Sequence, residues 1–358
     1  MATNRIRVAL VGYGLAGRVF HAPLIARTAG MEITTIVTAN PERRAEASRD
    51  FPDARLAATF DEVILAAADL DFVVIASPNK YHAPQAAVAL DAGLHVVVDK
   101  PFATSSRDCR MLIELSKEKK RLLTVFQNRR FDNDFLTVKK LIEDGSLSPV
   151  LRLESRFERY RPTVDPNKWR ESGSIEDGAG LLFDLQSHLV DQACNLFGRP
   201  ESVYAEVRNT RPGATASDDT FVALTFPGGV STHLWANVIS AKRAPRFRVL
   251  ALNGTFEKYG LDPQEEALRA GGHPGDQGWG IEPDELSGTL TSGEDGAEKT
   301  IKSETGCYEK FYSLTAEAIR TGGRPPVDPE EALLVMEIIE AAMKSAASRS
   351  AVSIASVS

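Results

Sequence analysis

A chain of 358 residues, 43% hydrophobic and 25% charged, is long enough for two domains of ordinary size and has the balance of a globular protein in water. Its formal net charge of −7 leaves no basic excess to neutralise phosphates, which excludes a nucleic-acid partner as the expected reading. The three cysteines, Cys109, Cys194 and Cys307, make no even-numbered framework, no apolar stretch approaches the roughly 20 residues that span a bilayer, and no leader-type segment opens the chain, so a cytoplasmic protein with no membrane contact is expected.

Short runs rich in Val and Ile occur at Ile6–Val11, Ile33–Val37, Phe72–Ala76, His95–Val98 and Leu122–Phe126. They read as buried parallel strands. Helical patterns separate them. One opens on Asn40-Pro41-Glu42, which supplies a capping side chain, a proline at the first helical position and an early acid; another follows Thr104 and reaches about Lys120. Alternating strands and helices predict an α/β, doubly wound dinucleotide-binding domain over residues 1–127.

The pattern changes after Asn128. Leu151–Glu158 alternates apolar and polar residues, as a strand with one covered face does. Val203–Arg208, Thr220–Phe226, Val230–Asn237 and Phe247–Leu252 follow as strands, with a hairpin turn at Phe226-Pro227-Gly228-Gly229-Val230 and one helix at Leu181–Phe197. Residues from about Asp262 to Gly296 read as loop with room for short ordered pieces. Helices at Phe311–Thr321 and from Pro329 to Ser345, the latter capped by Asp328, close the chain, and the last residues fray or add an edge strand. Residues 128–358 are thus predicted as an α+β domain with a large, mostly antiparallel open sheet for substrate binding and oligomerisation, its C-terminal helix a candidate to return to the first domain. An open sheet needs its second face covered, so a homodimer or homotetramer is expected.

Directly after the first strand, Gly12-Tyr13-Gly14-Leu15-Ala16-Gly17 carries G-x-G-x-x-G spacing, with a helical stretch from about Arg18. A tight turn at Gly12, close approach of pyrophosphate at Gly14 and helix–strand packing at Gly17 each require glycine, and a helix N-terminus offers N–H groups to phosphate. The second strand ends in Thr38-Ala39-Asn40-Pro41-Glu42-Arg43-Arg44, without the acid that usually binds the ribose hydroxyls of NAD. Thr38, Asn40 and Arg43 are candidate contacts, and a 2′-phosphate meets cations there, so NADP is preferred over NAD. A solvent-facing helix turn is the alternative role for Arg43 and Arg44.

Three more stretches, Ser77-Pro78-Asn79-Lys80-Tyr81-His82, Asp99-Lys100-Pro101 and Gly178-Ala179-Gly180-Leu181-Leu182-Phe183-Asp184-Leu185-Gln186-Ser187-His188, stand in order behind the glycine loop. Together they resemble the Gfo/Idh/MocA family of NAD(P)-dependent sugar and polyol oxidoreductases. Gly14–Pro23 and Phe126–Asp132 are similar to a branch that includes NADP-dependent scyllo-inositol dehydrogenases. The resemblance implies that Ser77, Pro78, Asn79 and His82 lie against the nicotinamide end of the cofactor, beside Lys100 and Pro101. It also implies catalysis by Lys100, Asp184 and His188 on a small sugar or polyol.

The chemistry fits these residue types. Lys100 follows a strand at the carboxyl edge of a parallel sheet, where such sheets bind ligands, and an ammonium there stabilises the negative oxygen that forms as hydride leaves carbon. His188 serves as base in oxidation and acid in reduction, with Asp184, one turn away on the same helical face, holding substrate hydroxyls or orienting the proton relay. No third ligand accompanies that pair at helical spacing, so no metal is expected. Ala179 stands where a third glycine is usual, and Gln186, where a small residue is usual, is expected to reshape the pocket. His21 stands evenly between site and packing. Arg129 and Arg130 meet either substrate or acids at the domain junction. Trp169 and Arg170, just before the glycine-rich entry, are candidates to line the pocket, with core packing the preferred reading of the tryptophan, and His95, His233 and His273 are structural or solvated. Alternative activities are a dinucleotide-binding sensor that turns nothing over, a methyltransferase, in which the second domain has no role, and a cofactor-dependent glycosidase of the same fold.

Overall fold

Apolar runs without polar alternation hide both faces only in a parallel sheet with helices on each side. The computed structural model, which describes residues 5–354, builds that sheet from β1 (Ile6–Val11), β2 (Met31–Val37), β3 (Arg55–Ala57), β4 (Phe72–Ile75), β5 (His95–Asp99) and β6 (Leu123–Phe126). Every pairing is parallel, in the order β3-β2-β1-β4-β5-β6. Val8, Leu10, Val73, Val74 and Val97 have no exposed surface. The order reverses between β1 and β4, which makes the crevice at their carboxyl ends the natural ligand position.

Capping side chains fix where the helices begin. Asn40 Oδ1 accepts from the Arg43 N–H at 2.9 Å to start Pro41–Asp50. Ser105, not Thr104, caps Ser106–Lys119 by accepting from the Asp108 N–H at 3.1 Å, and Lys120 ends it with φ 53°. At the opposite, amino edge of the sheet, arginines meet carbonyls of the turns that lead into the strands: Arg121 donates to Gly93 O at 2.5 Å and Arg320 to Gly30 O at 3.0 Å. They line a cavity of about 570 Å³ with Arg5, Asp71 and His95.

The chain forms two compact units, and one cut near residue 127 does not separate them. The first takes the described residues up to Asn128 together with Gln264–Trp279 and Cys307–Leu333. There Thr124 donates to Val327 O at 2.7 Å, and the Tyr308 N–H donates to Gln264 Oε1 at 2.7 Å. The second unit takes Arg129–Pro263, Gly280–Gly306 and the described residues from Leu334. Helix Pro329–Ser348 contributes to both, and its first turn is capped as expected, Asp328 accepting from the Glu330 N–H at 3.0 Å.

The second unit is one nine-stranded sheet: β7 (Val150–Glu158), β8 (Ser202–Arg208), β9 (Asp219–Thr225), β10 (Ser231–Asn237), β11 (Phe247–Ala251), β12 (Gly254–Lys258), β13 (Gly288–Ser292), β14 (Glu298–Ile301) and β15 (Val352–Ser353). Its order is β14-β13-β12-β11-β7-β10-β9-β8-β15, antiparallel except for the parallel pair β7–β10. Val203, Val222, Leu224, Leu234 and Ala236 are buried on one face. The stretch expected as loop from Asp262 to Gly296 holds β13 and the helix Gln264–Arg269. Lys258, completely buried, organises that region by donating to Glu282, Tyr259 O and Leu286 O at 2.7–2.8 Å.

Candidate functional site

The three loop glycines are required for three reasons. A methyl on Gly12, whose φ is +100°, would stand 2.6 Å from Ala76 O, and one on Gly17 would stand 1.9 Å from Gly12 O. Gly14 differs: beyond its chain neighbours, a methyl there meets only the Arg43 guanidinium, at 3.6 Å. Gly12 and Gly17 therefore serve the fold, and Gly14 keeps open the approach a pyrophosphate needs. The helix begins at Ala16, earlier than expected; its first stretch, Ala16–His21, is π-helical before Ala22–Ala26 continues as α-helix. Tyr13 turns inward, its hydroxyl donating to Asp50 at 2.8 Å, which leaves its main chain for phosphate, while Leu15 is exposed and Ala16 partly so. Burial and the Asp50 charge raise the Tyr13 pKa, so it keeps its proton.

At the end of β2 the two arginines part. Arg44 donates to Thr38 O and Leu56 O, both at 3.3 Å, tying β2 to β3. Arg43 is exposed and reaches over Gly14. Thr38 is buried with its N–H on Ala57 O, and Asn40 is occupied as the helix cap. The end of β2 therefore carries one exposed guanidinium, that of Arg43, and no carboxylate between Val37 and Pro41.

At the carboxyl edge of the same sheet, the Ser77 hydroxyl donates to Gln85 at 2.7 Å, Asn79 is buried and Pro78 is exposed. His82 does not cap the helix it begins. Its Nδ1 lies 2.8 Å from Pro101 O and its Nε2 2.9 Å from Ser77 O, joining the loop after β4 to the turn after β5. Lys100, partly exposed, precedes a cis Lys100–Pro101 peptide, and its N–H donates to Asp99 Oδ1 at 2.9 Å. Burial opposes the Asp99 charge, but His21, Lys100 and His82 hold its pKa below the ordinary aspartate value. His21 is completely buried against Phe126, with Nδ1 2.6 Å from the Tyr312 hydroxyl and Nε2 3.6 Å from Asp99. The first unit thus gathers the glycine loop, Arg43, Ser77, Asn79, His82, Lys100 and Pro101 on one edge of its sheet.

In the second unit Gly180 has φ +91°, and a methyl there would stand 2.4 Å from Ser217 Oγ; Ala179 avoids the positive-φ region, so alanine is tolerated. The expected single helix is broken: Leu181–Asp184 ends, and Gln186–Phe197 begins after Leu185, where the His188 N–H turns to Leu185 O at 3.2 Å. Asp184 and His188 therefore flank a break instead of sharing an uninterrupted helical face. Asp184 lies 3.5 Å from Arg170, whose guanidinium stacks 4.6 Å over Trp169. Trp169 is half-buried, so it is not the core residue expected. Gln186 does not face a pocket either. It is fully buried, donating to Leu234 O at 3.3 Å and accepting from Thr220 at 3.0 Å, and so fastens its helix to β9 and β10.

His188 is 4% exposed, with the Phe157 ring edge-on at 6.4 Å. Arg246 covers the same phenyl ring at 4.1 Å and Arg129 at 5.4 Å. Both arginines once open between substrate and ion pairs are buried in ion pairs of this unit. Arg130 grips Asp191 with two bonds, at 2.8 and 2.6 Å, and Arg129 lies 3.5 Å from Asp132. Arg246, held 3.2 Å from Asp134, also donates to Ser155 and to Gln192. Burial pulls the Arg246 pKa down against the pull of Asp134 and Asp132. His95 accepts from the Leu122 N–H, His233 sits between Phe221 and Trp235, and His273 pairs with Asp276. Tyr312 and Asp191 carry no local sequence signal, because their partners lie 291 and 61 residues away. Among the described residues no group of three His, Cys, Asp or Glu is placed to hold a metal ion, and no helix is long and apolar enough to cross a membrane.

Residues 6–127 match the oxidoreductase family's NAD-binding Rossmann fold, and residues 139–354 match its C-terminal alpha/beta domain. The chain belongs to the Gfo/Idh/MocA family of oxidoreductases. It is 39% identical over 344 residues to the scyllo-inositol 2-dehydrogenase (NADP(+)) IolW of Bacillus subtilis (strain 168), covering 96% of this chain and 94% of that protein. It is 38% identical over 353 residues to the uncharacterized oxidoreductase YdgJ of Escherichia coli (strain K12), covering 99% and 100%. The solved structure of the oxidoreductase yvaA from Bacillus subtilis superimposes with a TM-score of 0.92 at 37% identity, covering 99% of each chain.

Proposed function

We propose that this oxidoreductase moves a hydride between NADP and a secondary alcohol or ketone of a cyclic polyol or sugar, inositol-like in shape. The observation that carries the reading is Lys100, fixed at the carboxyl end of β5 on the sheet edge that also holds the glycine loop and Arg43. The name of the relative IolW supports both the substrate class and NADP. When bound, the nicotinamide supplies the two-electron acceptor. Lys100 holds the charge that grows on the substrate oxygen. His188 takes the hydroxyl proton in oxidation and returns it in reduction, a contribution of about 10²–10⁴ in rate. Asp184, steadied by Arg170, binds neighbouring hydroxyls or orients the proton's path. The enzyme works in the cytoplasm on a small molecule, as a homodimer or homotetramer.

The test is a panel of scyllo-inositol, myo-inositol and glucose with NADP and with NAD at mildly alkaline pH, followed by reduced-nicotinamide absorbance, with aryl glycosides in parallel. Oxidation of a polyol or sugar is expected. Glycoside cleavage without net cofactor reduction would transfer the reading to a cofactor-dependent glycosidase. Binding of cofactor with no turnover across the panel would favour a sensor.

A further inference from the structure

Lys100 is one residue from a buried carboxylate, and that carboxylate is not held by Lys100 alone. Asp99 Oδ1 accepts the Lys100 N–H at 2.9 Å and faces His21 Nε2 at 3.6 Å. On the far side of the same imidazole, Nδ1 lies 2.6 Å from the Tyr312 hydroxyl. The ring itself is clamped by Phe126, 4.3 Å between centroids, and Phe126 packs edge-on against Phe311 at 4.9 Å. His21 and Tyr312 have no exposed surface, and Asp99 has 7%. Three polar groups therefore form a line that ends at the lysine's own peptide.

The chemistry of the two ends fixes the middle. An ionised carboxylate only accepts, so its charge, 3.6 Å away and short of a formed hydrogen bond, favours hydrogen on the imidazole nitrogen that faces it. A neutral imidazole then presents a lone pair at Nδ1, and Tyr312 fills it by donating. Burial and the Asp99 charge raise the Tyr312 pKa well above the ordinary value, which keeps that proton in place. The other group facing Asp99 with charge in reach is His82, which bridges Ser77 O and Pro101 O.

We propose that His21 is a positioning residue for Lys100: Tyr312 locks it in the Nε2–H form, His21 anchors the Asp99 carboxylate, and Asp99 holds the turn that aims the lysine. The proposal rests on the reading of Lys100 given above. The logic is that of a buried acid orienting an imidazole, run in reverse, with the imidazole orienting the acid. A wrong tautomer would set a bare nitrogen against a carboxylate and loosen the turn. Misplacement of a reacting group by about 1 Å loses on the order of 10²-fold in rate.

Two measurements on the whole protein test it. In ¹⁵N-histidine NMR, the signal that disappears in His21→Leu should show a proton on Nε2 and none on Nδ1, and Tyr312→Phe should shift it towards a tautomer mixture. An Nδ1–H form in the wild-type protein would overturn the relay. In kinetics with scyllo-inositol and NADP, Tyr312→Phe and His21→Leu should lower kcat by about 10²-fold with the NADP thermal shift unchanged, and His21→Gln, whose amide can still donate to Asp99, should retain most of the rate. In a Lys100→Met background the same changes should have no further effect. Losses that multiply there would mean His21 only supports the fold. Wild-type turnover by Lys100→Met would instead sink the lysine reading, with the NMR result still deciding the relay. If His21→Leu does not fold, Tyr312→Phe and His21→Gln carry both measurements.

Discussion

Arg43 and Arg44 are neighbours in the chain with separate tasks, and the difference decides the cofactor argument. Arg44 is tied to two carbonyl oxygens, whereas Arg43 is exposed above Gly14 at a strand end that lacks an acid. A guanidinium on a 2′-phosphate makes charge-assisted bonds worth about 1.5–3 kcal/mol each. Arg43→Ala should therefore lower NADP affinity by tenfold or more, about 1.4 kcal/mol or above, and leave NAD nearly unchanged. Thermal shifts with the two cofactors read this directly. Equal losses for NADP and NAD would remove the 2′-phosphate from the account. The sequence displayed both arginines but not which one is tied to carbonyls, since that depends on β3, a three-residue strand with too little apolar pattern to read. Gln186 is hidden for a related cause: its residue type suggests a pocket, and its role comes from partners across the fold, Thr220 and Leu234.

The helix that carries His188 is aimed by a buried ion pair one turn further on. Arg130 and Asp191 are 9% and 1% exposed and doubly bonded, and Gln192 beside them donates to Arg129 O at 2.8 Å. Removing one partner of such a pair leaves an uncompensated buried charge, at a cost of about 3–5 kcal/mol. Arg130→Met should lose roughly that much stability in urea unfolding, and adding Asp191→Leu should restore a large part of it. A loss below about 1 kcal/mol for the single variant would show that the pair does not anchor the helix. At this scale the sequence was most legible where burial is continuous. The parallel strands of the first unit show it, with β1, β2, β4, β5 and β6 all read to within a residue or two. It was least legible at β12, β13 and β14, towards one end of the second sheet, whose segments Gly254–Lys258, Gly288–Ser292 and Glu298–Ile301 are short and polar enough to pass for turns. The break at Leu185 left no sign, because its backbone stays near helical values, φ −100° and ψ −38°, and only the bonding pattern changes.

For the whole molecule, the open sheet of the second unit presents Phe221, His233 and Trp235 in one aromatic ladder, with Arg156 4.0 Å over the indole. These side chains alternate with buried ones and remain partly exposed, as expected of a face that a second copy covers. Light scattering should give a dimer or tetramer mass, and Trp235→Glu should lower it. A wild-type mass of 38.9 kDa would contradict self-association. Two domains and their classes were readable from the change in hydrophobic period near Asn128. The assignment of Gln264–Trp279 and Cys307–Leu333 to the first unit was not, because it rests on contacts such as Tyr312 with His21, made across 291 residues.

The central claim is that Lys100 and His188 handle the charge and the proton of one hydride transfer. Its most direct test is steady-state oxidation of the panel's best substrate by Lys100→Met and His188→Ala, with NADP binding followed separately by thermal shift. The account predicts that both variants bind NADP like the wild type and lose at least 10²-fold in kcat, the lower bound for a positioned acid or base. Wild-type kcat in either variant would contradict it.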